Sequence, residues 1–296
     1  MKIGVFIPTW NAAKHLPHCL PPLLQSPLKP KILIIDSSSK DNTVAIAQSF
    51  GIQTEIIPQK EFNHGLTRER GRKLLNADII VMMTSDAYAT SPEALEKLIE
   101  PIVQGKASAA YGRQLPHHGA SLLEAFPRTF NYPEQSHFRT LKDLPSYGVY
   151  TFFCSDSFAA YSNRALDSVG GFPRVLLGED SAVVAKLLRQ GDTIAYVAEA
   201  TVRHSHHYTL RQEFQRYVDT GLARQEFADL LEGSDSRRGS AFTKQLMKEV
   251  IDNEPLMLPY ALAQTLCKAS GYHLGRIAYH GPRWLKRLLC SQPEYY

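Results

Sequence analysis

Short apolar runs alternate with helix-spaced apolar positions through the first hundred residues, and this alternation predicts a β-α-β-α succession. Ile3–Ile7 is the first strand-like run, closed by Pro8-Thr9-Trp10-Asn11. Leu16, Leu20, Leu23 and Leu24 then recur at helical spacing, in a helix that Pro17, Pro21 and Pro22 must shorten or kink. Ile32–Ile35 reads as a second strand and ends in Asp36-Ser37-Ser38-Ser39. Asp41 is placed to cap a helix running through Phe50, with Gly51 where a C′ residue belongs. Thr54–Ile57 and Ile79–Met83 supply two further strands. Such a succession predicts an α/β fold, a largely parallel sheet with helices on both faces. No Gly-x-Gly-x-x-Gly follows the first strand, which disfavours a dinucleotide site.

After Gly105 the pattern loosens. Tyr111 to Pro145 is rich in Pro, His and aromatic residues and predicts a long loop region. Phe152–Tyr161 and Thr193–Val202 read as strands, and between them Gly178-Glu179-Asp180 opens a helix that ends at Gly191. From Thr209 onward the chain reads as helical, with Phe214, Tyr217 and Val218 as one buried stripe and Leu256–Leu266 as a second apolar stretch. The expected organisation is an α/β part over residues 1–208 and a helical part, packed on it, over residues 209–296.

Composition narrows the classes. With 296 residues, 44% hydrophobic and 21% charged, the chain is long enough for one large α/β domain with an appendage. A net charge of +4 suits an anionic small substrate and is too weak to argue for nucleic acid. Cys19, Cys154, Cys267 and Cys290 are scattered without a Cys-x-x-Cys pair, as expected for reduced thiols. No signal-peptide pattern opens the sequence and no apolar run reaches the roughly 20 residues of a membrane span, so a cytoplasmic location is expected. Arg283-Trp284-Leu285-Lys286-Arg287-Leu288-Leu289 is basic and amphipathic. It fits either peripheral contact with an anionic membrane or a terminal helix packed on the body.

Candidate chemistry gathers at strand ends. Asp86 follows the run Ile79–Met83, and ligands of open α/β sheets bind outside the carboxyl ends of the strands. A carboxylate there points to a metal held against a diphosphate; the alternative is a cap for the helix signalled by Ser91-Pro92-Glu93. Asp36 ends the second strand, where it can accept the imide N–H of a uracil or thymine, beside Pro8, Thr9 and Asn11; all are also ordinary turn residues. Arg68, Arg70 and Arg72 crowd one segment, and Thr67 is placed to cap a helix starting just after it. Arginine at a helix N-terminus suits a diphosphate, although a solvated basic face reads the same way. Glu179 and Asp180 open a helix, where acids stabilise the macrodipole and where a carboxylate can also take a proton from a hydroxyl. If the strand continues past Val202, His204 and His206 share a face and His207 takes the other, giving a histidine pair for a divalent metal.

Together and in order, these segments resemble the family 2 glycosyltransferases of GT-A fold, a Rossmann-like, mostly parallel sheet flanked by helices. The likeness covers about residues 2–220 and is greatest to the bacterial rhamnosyltransferase branch. Pro8-Thr9-Trp10-Asn11 resembles the family's Pro-Thr-Tyr-Asn, and Asp36-Ser37-Ser38-Ser39-Lys40-Asp41-Asn42-Thr43 its Asp-Ser-x-Ser-x-Asp-x-Thr base-binding loop, which brings Ser38 into the donor-binding set. Phe62-Asn63-His64-Gly65-x-Thr67-Arg68, Gly170-Gly171-Phe172 with Glu179-Asp180, and His204-Ser205-His206-x-Tyr208 resemble signatures of the branch. The resemblance implies inverting transfer of a sugar, L-rhamnose from dTDP-L-rhamnose first among donors, to a hydroxyl of a surface glycan or lipid-linked precursor. UDP- and GDP-sugars are the alternative donors on the same scaffold. It implies Asp180 as general base, with Glu179 as the alternative. Asp86 would hold Mg²⁺ or Mn²⁺ with His204 or His206, Arg68 would assist at the diphosphate, and Asp36 would orient the base. The family's Asp-x-Asp is reduced here to Thr84-Ser85-Asp86, so the metal has one carboxylate and needs histidine to complete its site, unless catalysis dispenses with metal. A sugar nucleotidyltransferase would need a Gly-rich phosphate loop after the first strand, which Pro8-Thr9-Trp10-Asn11 does not provide. A non-catalytic glycan-assembly subunit would be expected to have lost the acids, yet Asp36, Asp86 and Asp180 are present.

Overall fold

The computed structural model describes residues 1–233 and 236–296. In chain order it begins β1 (Ile3–Thr9), α1 (Leu16–Leu24), β2 (Lys31–Asp36), α2 (Thr43–Ser49), β3 (Gln53–Ile56), α3 (His64–Leu75) and β4 (Ile79–Met83). The four strands are parallel, in the order β3-β2-β1-β4. The apolar runs of β1, β2 and β4 are continuous because helices cover both faces, whereas β3, at the sheet edge, is polar and partly exposed. Successive side chains feed opposite cores. Val5, Ile7, Ile34, Val81 and Met83 pack with Leu16, Leu20 and Leu23 of α1, while Phe6, Leu33, Ile35, Ile80 and Met82 pack on the other face with Leu75 of α3. Helix α1 is short, and Pro21 and Pro22 lie within it. The residue at the cap of α2 is Asn42 rather than Asp41; Asp41 instead accepts from the Thr43 backbone N–H at 3.1 Å, inside the first turn. Gly51 takes the expected left-handed conformation after that helix, at φ 72°.

The chain continues through β5 (Tyr88–Ala89), α4 (Ala94–Val103), β6 (Ala109–Leu115), α5 (Leu122–Asn131), β7 (His137–Arg139), α6 (Leu144–Tyr147), β8 (Phe158–Ser162), α7 (Asn163–Ser168), α8 (Glu179–Arg189) and β9 (Ile194–Arg203). Here the sheet becomes mixed. β8 runs antiparallel to β4 and to β6, β6 and β9 are parallel, and β5 and β7 lie antiparallel to β9. The expected loop from Tyr111 to Pro145 is instead ordered into part of β6, all of α5 and all of β7. The expected strand over Phe152–Tyr161 is a strand only from Phe158. Its first half is a tight turn stapled by Arg139, a fully buried side chain that donates to the carbonyls of Tyr150, Thr151 and Phe153.

The C-terminal helices are α9 (Leu210–Glu226), α10 (Ser236–Asn253), α11 (Leu258–Ala278) and α12 (Arg283–Leu289). Thr209 and Gln212 form a capping box at the start of α9. Helices α9 and α11 touch backbone to backbone: a Cβ on Gly275 would sit 2.1 Å from the Val218 carbonyl oxygen, and one on Gly221 2.2 Å from that of Tyr272. Phe242 of α10 meets Phe126 and Phe130 of α5 edge to face, which fastens these helices to the sheet-bearing part. None of the described helices is long and apolar enough to cross a membrane.

Candidate active site

A cleft of about 920 Å³ opens at the carboxyl ends of β1 and β4, lined by Pro8, Thr9, Trp10 and Asn11 on one strand end and Thr84, Ser85 and Asp86 on the other. The first of these loops is knitted to the end of β2. Asp36 is fully buried and accepts three hydrogen bonds, from Thr9 Oγ1 at 2.7 Å, Ser39 N at 2.8 Å and Ser39 Oγ at 2.6 Å. Asn11, at φ 49°, accepts from the Lys40 backbone N–H at 2.9 Å. Ser38 donates to the Ile57 carbonyl at 2.8 Å, and it is Ser37 of this loop that lines the cleft. The structure therefore makes Asp36 the organiser of the loop, with Trp10, 56% exposed, as its free aromatic face. A flat side chain in that place is suited to stacking on a nucleobase.

Asp86 lies at the far end of the cleft with both histidines. His204 Nε2 is 3.5 Å from Asp86 Oδ1 and His206 Nδ1 is 3.5 Å from Oδ2; His207, on the other face, is exposed. These three ligand atoms lie within 4.8 Å of one another. Burial depresses both imidazoles, His206 to about 3, and Asp86 lies below the usual carboxylate range although burial opposes that, because the polar groups around it, His204 first and then His206 and Thr84, favour its ionised form. Neutral imidazoles beside an ionised carboxylate are the protonation states a metal requires. His204 Nδ1 lies 2.9 Å from Gln114 Oε1, a contact in which the ring must be the donor, so Nε2 keeps its lone pair toward Asp86. The set fits a divalent ion. Two nitrogens to one carboxylate suit Mn²⁺ better than Mg²⁺, which prefers all-oxygen shells.

The acids at the start of α8 are organised by Arg68. Its guanidinium is buried, with Nε 2.9 Å from Asp156 Oδ2 and Nη1 3.0 Å from Glu179 Oε1. The sequence reading placed Arg68 at a diphosphate; the structure commits its charge to these two carboxylates. Burial alone would raise Glu179, but Arg68, then His64, outweigh it and keep Glu179 low. Burial pushes Asp156 well up despite Arg68. Asp180 forms no ion pair with a described residue. Burial first, then the Glu179 charge, lift it to about 6. Its Oδ1 accepts from Ser181 N at 2.6 Å and its Oδ2 from Asp156 N at 3.3 Å. One acid is thus held ionised while its neighbour titrates near neutrality, the division of roles that acid–base chemistry uses.

Two of the signature segments interlock to build this arrangement. Asn63, not Thr67, caps α3: its Oδ1 accepts from Leu66 N at 3.1 Å, and its Nδ2 donates to the Val175 carbonyl at 2.6 Å. Gly65 lies so close to the second segment that a Cβ would be 1.7 Å from the Pro173 carbonyl oxygen. A Cβ on Gly171, at φ 71°, would strike the Glu69 carboxylate, which accepts from Phe172 N at 3.1 Å. These residues serve to bring Arg68 under Glu179. Sequence reasoning missed three contributors: Asp156, hidden in what read as a strand; Gln114; and Ser291–Tyr295, which follow α12 and line the cleft. No local pattern marks the last two.

Residues 4–170 match the family model described as glycosyl transferase family 2. The chain is 39% identical over 282 residues to the O-antigen chain rhamnosyltransferase RfbN of Salmonella typhimurium, covering 93% of this chain and 90% of the relative. It is 39% identical over 250 residues to the O-antigen chain rhamnosyltransferase WbaN of Salmonella anatum, covering 83% and 79%. Among solved structures, the mannosyltransferase PcManGT from Pyrobaculum calidifontis, in complex with GDP-Man and Mn²⁺, superposes with a TM-score of 0.59 at 15% identity, over 99% of this chain and 84% of that one. S. aureus TarS 1-349 in complex with UDP does so with a TM-score of 0.56 at 15% identity, over 94% and 91%. At such identity these two report the fold.

Proposed function

The chain belongs to glycosyl transferase family 2 and is a glycosyltransferase, and we propose that it moves L-rhamnose from dTDP-L-rhamnose onto a hydroxyl of a bacterial surface glycan or lipid-linked precursor, with inversion. The two Salmonella relatives, O-antigen chain rhamnosyltransferases, support the sugar and the glycan class. The observation that carries the mechanism is Asp180, a carboxylate lifted to about 6 and in no ion pair with a described residue, at the head of α8. In this reading Asp180 takes the proton of the acceptor hydroxyl as that oxygen attacks the anomeric carbon. Glu179, kept ionised by Arg68, maintains the affinity of Asp180 for that proton. Trp10 and the loop organised by Asp36 and Ser38 would receive the base, between Pro8, Thr9 and Asn11. A divalent ion held by Asp86, His204 and His206 would neutralise charge on the departing diphosphate. We draw the boundary between donor-binding and helical parts at residues 208 and 209.

A panel of dTDP-, UDP- and GDP-sugars tests the donor. Nucleoside diphosphate release is expected from dTDP-L-rhamnose, faster with Mn²⁺ than with Mg²⁺ and abolished by EDTA. Turnover with only a UDP- or GDP-sugar would reassign the donor, and turnover indifferent to EDTA would remove the metal from the scheme.

A lipid-linked acceptor would bring the enzyme to a membrane surface. Helix α11 turns Leu262, Leu266 and Ile277 outward, and α12 exposes Trp284 at 66% and Leu288 at 70%. Residues 255–293 carry five Lys and Arg and no Asp or Glu. We propose that this face rests on an anionic lipid surface, where apolar area and charge act together. Sedimentation with vesicles should show binding that needs anionic lipid and falls by at least about tenfold in Trp284→Glu/Leu288→Glu, given the area each residue would bury. Self-association of the chain without vesicle binding would give the face to a second copy instead.

A further inference from the structure

With Arg68 committed to Asp156 and Glu179, an anionic ligand in the cleft needs another cation. Among the described residues, Lys60 and Arg174 are the other Lys or Arg side chains that line it. Arg174 stands in the loop between Phe172 and α8, exposed, and forms no ion pair with a described carboxylate. It is nonetheless held in place. Its Nη2 donates to the Tyr295 carbonyl at 3.1 Å, and its guanidinium carbon sits 4.4 Å from the centre of the Tyr295 ring. That ring contact fixes the plane of the guanidinium while leaving other N–H groups free.

Tyr295 is itself braced. Its hydroxyl donates to Glu226 Oε1 at 2.9 Å, and the backbone N–H of Ser291, at the start of the same segment, donates to Asp219 Oδ1 at 3.1 Å. Between them Gln292 Nε2 lies 3.2 Å from His64 Nε2. The segment Ser291–Tyr295 therefore forms a built wall of the cleft, anchored to α9 and to the head of α3. Glu61 and Glu294 line the same cleft, so its attraction for an anion is local to a placed cation rather than diffuse.

We infer that Arg174, positioned by Tyr295, binds the diphosphate of the nucleotide donor, an inference that rests on the donor reading above. A planar guanidinium with free N–H groups matches phosphate oxygens in pairs, which the flexible Lys60 ammonium does not. Arg174 is the binding residue here and Tyr295 a positioning residue.

The test is titration of the full-length chain with dTDP, UDP and thymidine at fixed Mg²⁺. Arg174→Ala should weaken dTDP and UDP roughly ten- to a hundredfold, the scale of a lost charge-assisted hydrogen bond, and leave thymidine affinity within about twofold. Arg174→Lys should recover only part of the loss. Tyr295→Ala should move dTDP affinity in the same direction by less, whereas Tyr295→Phe, which keeps the ring, should stay near wild type. Diphosphate binding unchanged in Arg174→Ala overturns the inference, as does an equal loss for thymidine and dTDP, and a loss on Lys60→Ala alone transfers the role to Lys60. A wild-type chain that binds neither dTDP nor UDP while holding its fold overturns the donor reading first, and this inference with it.

Discussion

Asp180→Asn is expected to lower sugar transfer by about 10²–10⁴-fold, the usual worth of a general base, with donor affinity unchanged. The amide keeps the shape of the carboxylate and one oxygen to accept from Ser181 N, so the head of α8 should survive. What disappears is the ability to take a proton. The pH profile of the wild type gives a second reading of the same group. Burial and the Glu179 charge raise Asp180 to about 6, and the base works only when deprotonated. Turnover should therefore hold above that pH and fall as pH drops through it, and Asp180→Asn should lose this acid limb. Full transfer by Asp180→Asn would return the role to Glu179. An acid limb near the ordinary carboxylate value, about 3.9, would show that Asp180 is better solvated than its position implies.

The largest effect on stability is expected at Arg68. Replacing it by Met fills most of its volume and strands the Glu179 charge, beside the Asp156 carboxyl that burial already raises, in a site where all three side chains are buried. Breaking a buried ion pair by removing one partner costs about 3–5 kcal/mol, which chemical denaturation at neutral pH would register as a lower midpoint. The variant should regain part of that loss in mild acid, because protonation removes the stranded charges. With Arg68 present Glu179 titrates below its unfolded value, so the stability from that pairing is in place above the unfolded pKa and is lost as pH falls through the folded one. A loss under about 1 kcal/mol, or one indifferent to pH, would mean that the three groups are solvated and the cluster contributes little.

The parts of this architecture that could be read from the chain were those with a local cause. Ile79–Met83 was legible because a strand buried on both faces must be apolar throughout, and polar residues bound it. His204 and His206 were legible as a pair because they stand two apart just past the end of β9, and both rings reach Asp86 although the strand itself closes at Arg203. The capping of α3 was misplaced from Asn63 to Thr67 because both residues can cap, and only the Val175 carbonyl held by Asn63 decides between them. Asp156 was invisible for a similar reason. Phe152–Tyr161 has the composition of a strand, and it is the distant Arg139, bonded to three carbonyls, that turns its first half into a bend. The charge state of Arg68 was legible, but its partners were not. Spacing pointed at solvent or phosphate, whereas packing of α3 against the loop before α8 brought two acids to it instead. Ionic partners, unlike helices, have no period.

Gln114 joins the two ends of the site. Its side-chain oxygen accepts from the His204 ring, and its nitrogen donates to Ser155 Oγ at 2.8 Å, one residue before the backbone N–H that Asp180 holds. An amide has a direction: with its oxygen on the imidazole the ring donates from Nδ1, and exchanging oxygen for nitrogen requires the other tautomer, with Nδ1 bare and Nε2–H turned to Asp86. The orientation of one neutral side chain therefore goes with which ring nitrogen of His204 is left bare, and links that choice to the turn before β8, whose Asp156 backbone N–H donates to Asp180. The arrangement behaves as a keyed joint between the Asp86 and Asp180 ends of the cluster, in which the order of oxygen and nitrogen, with no charge at all, matches the tautomer of the ring at one end to the turn at the other.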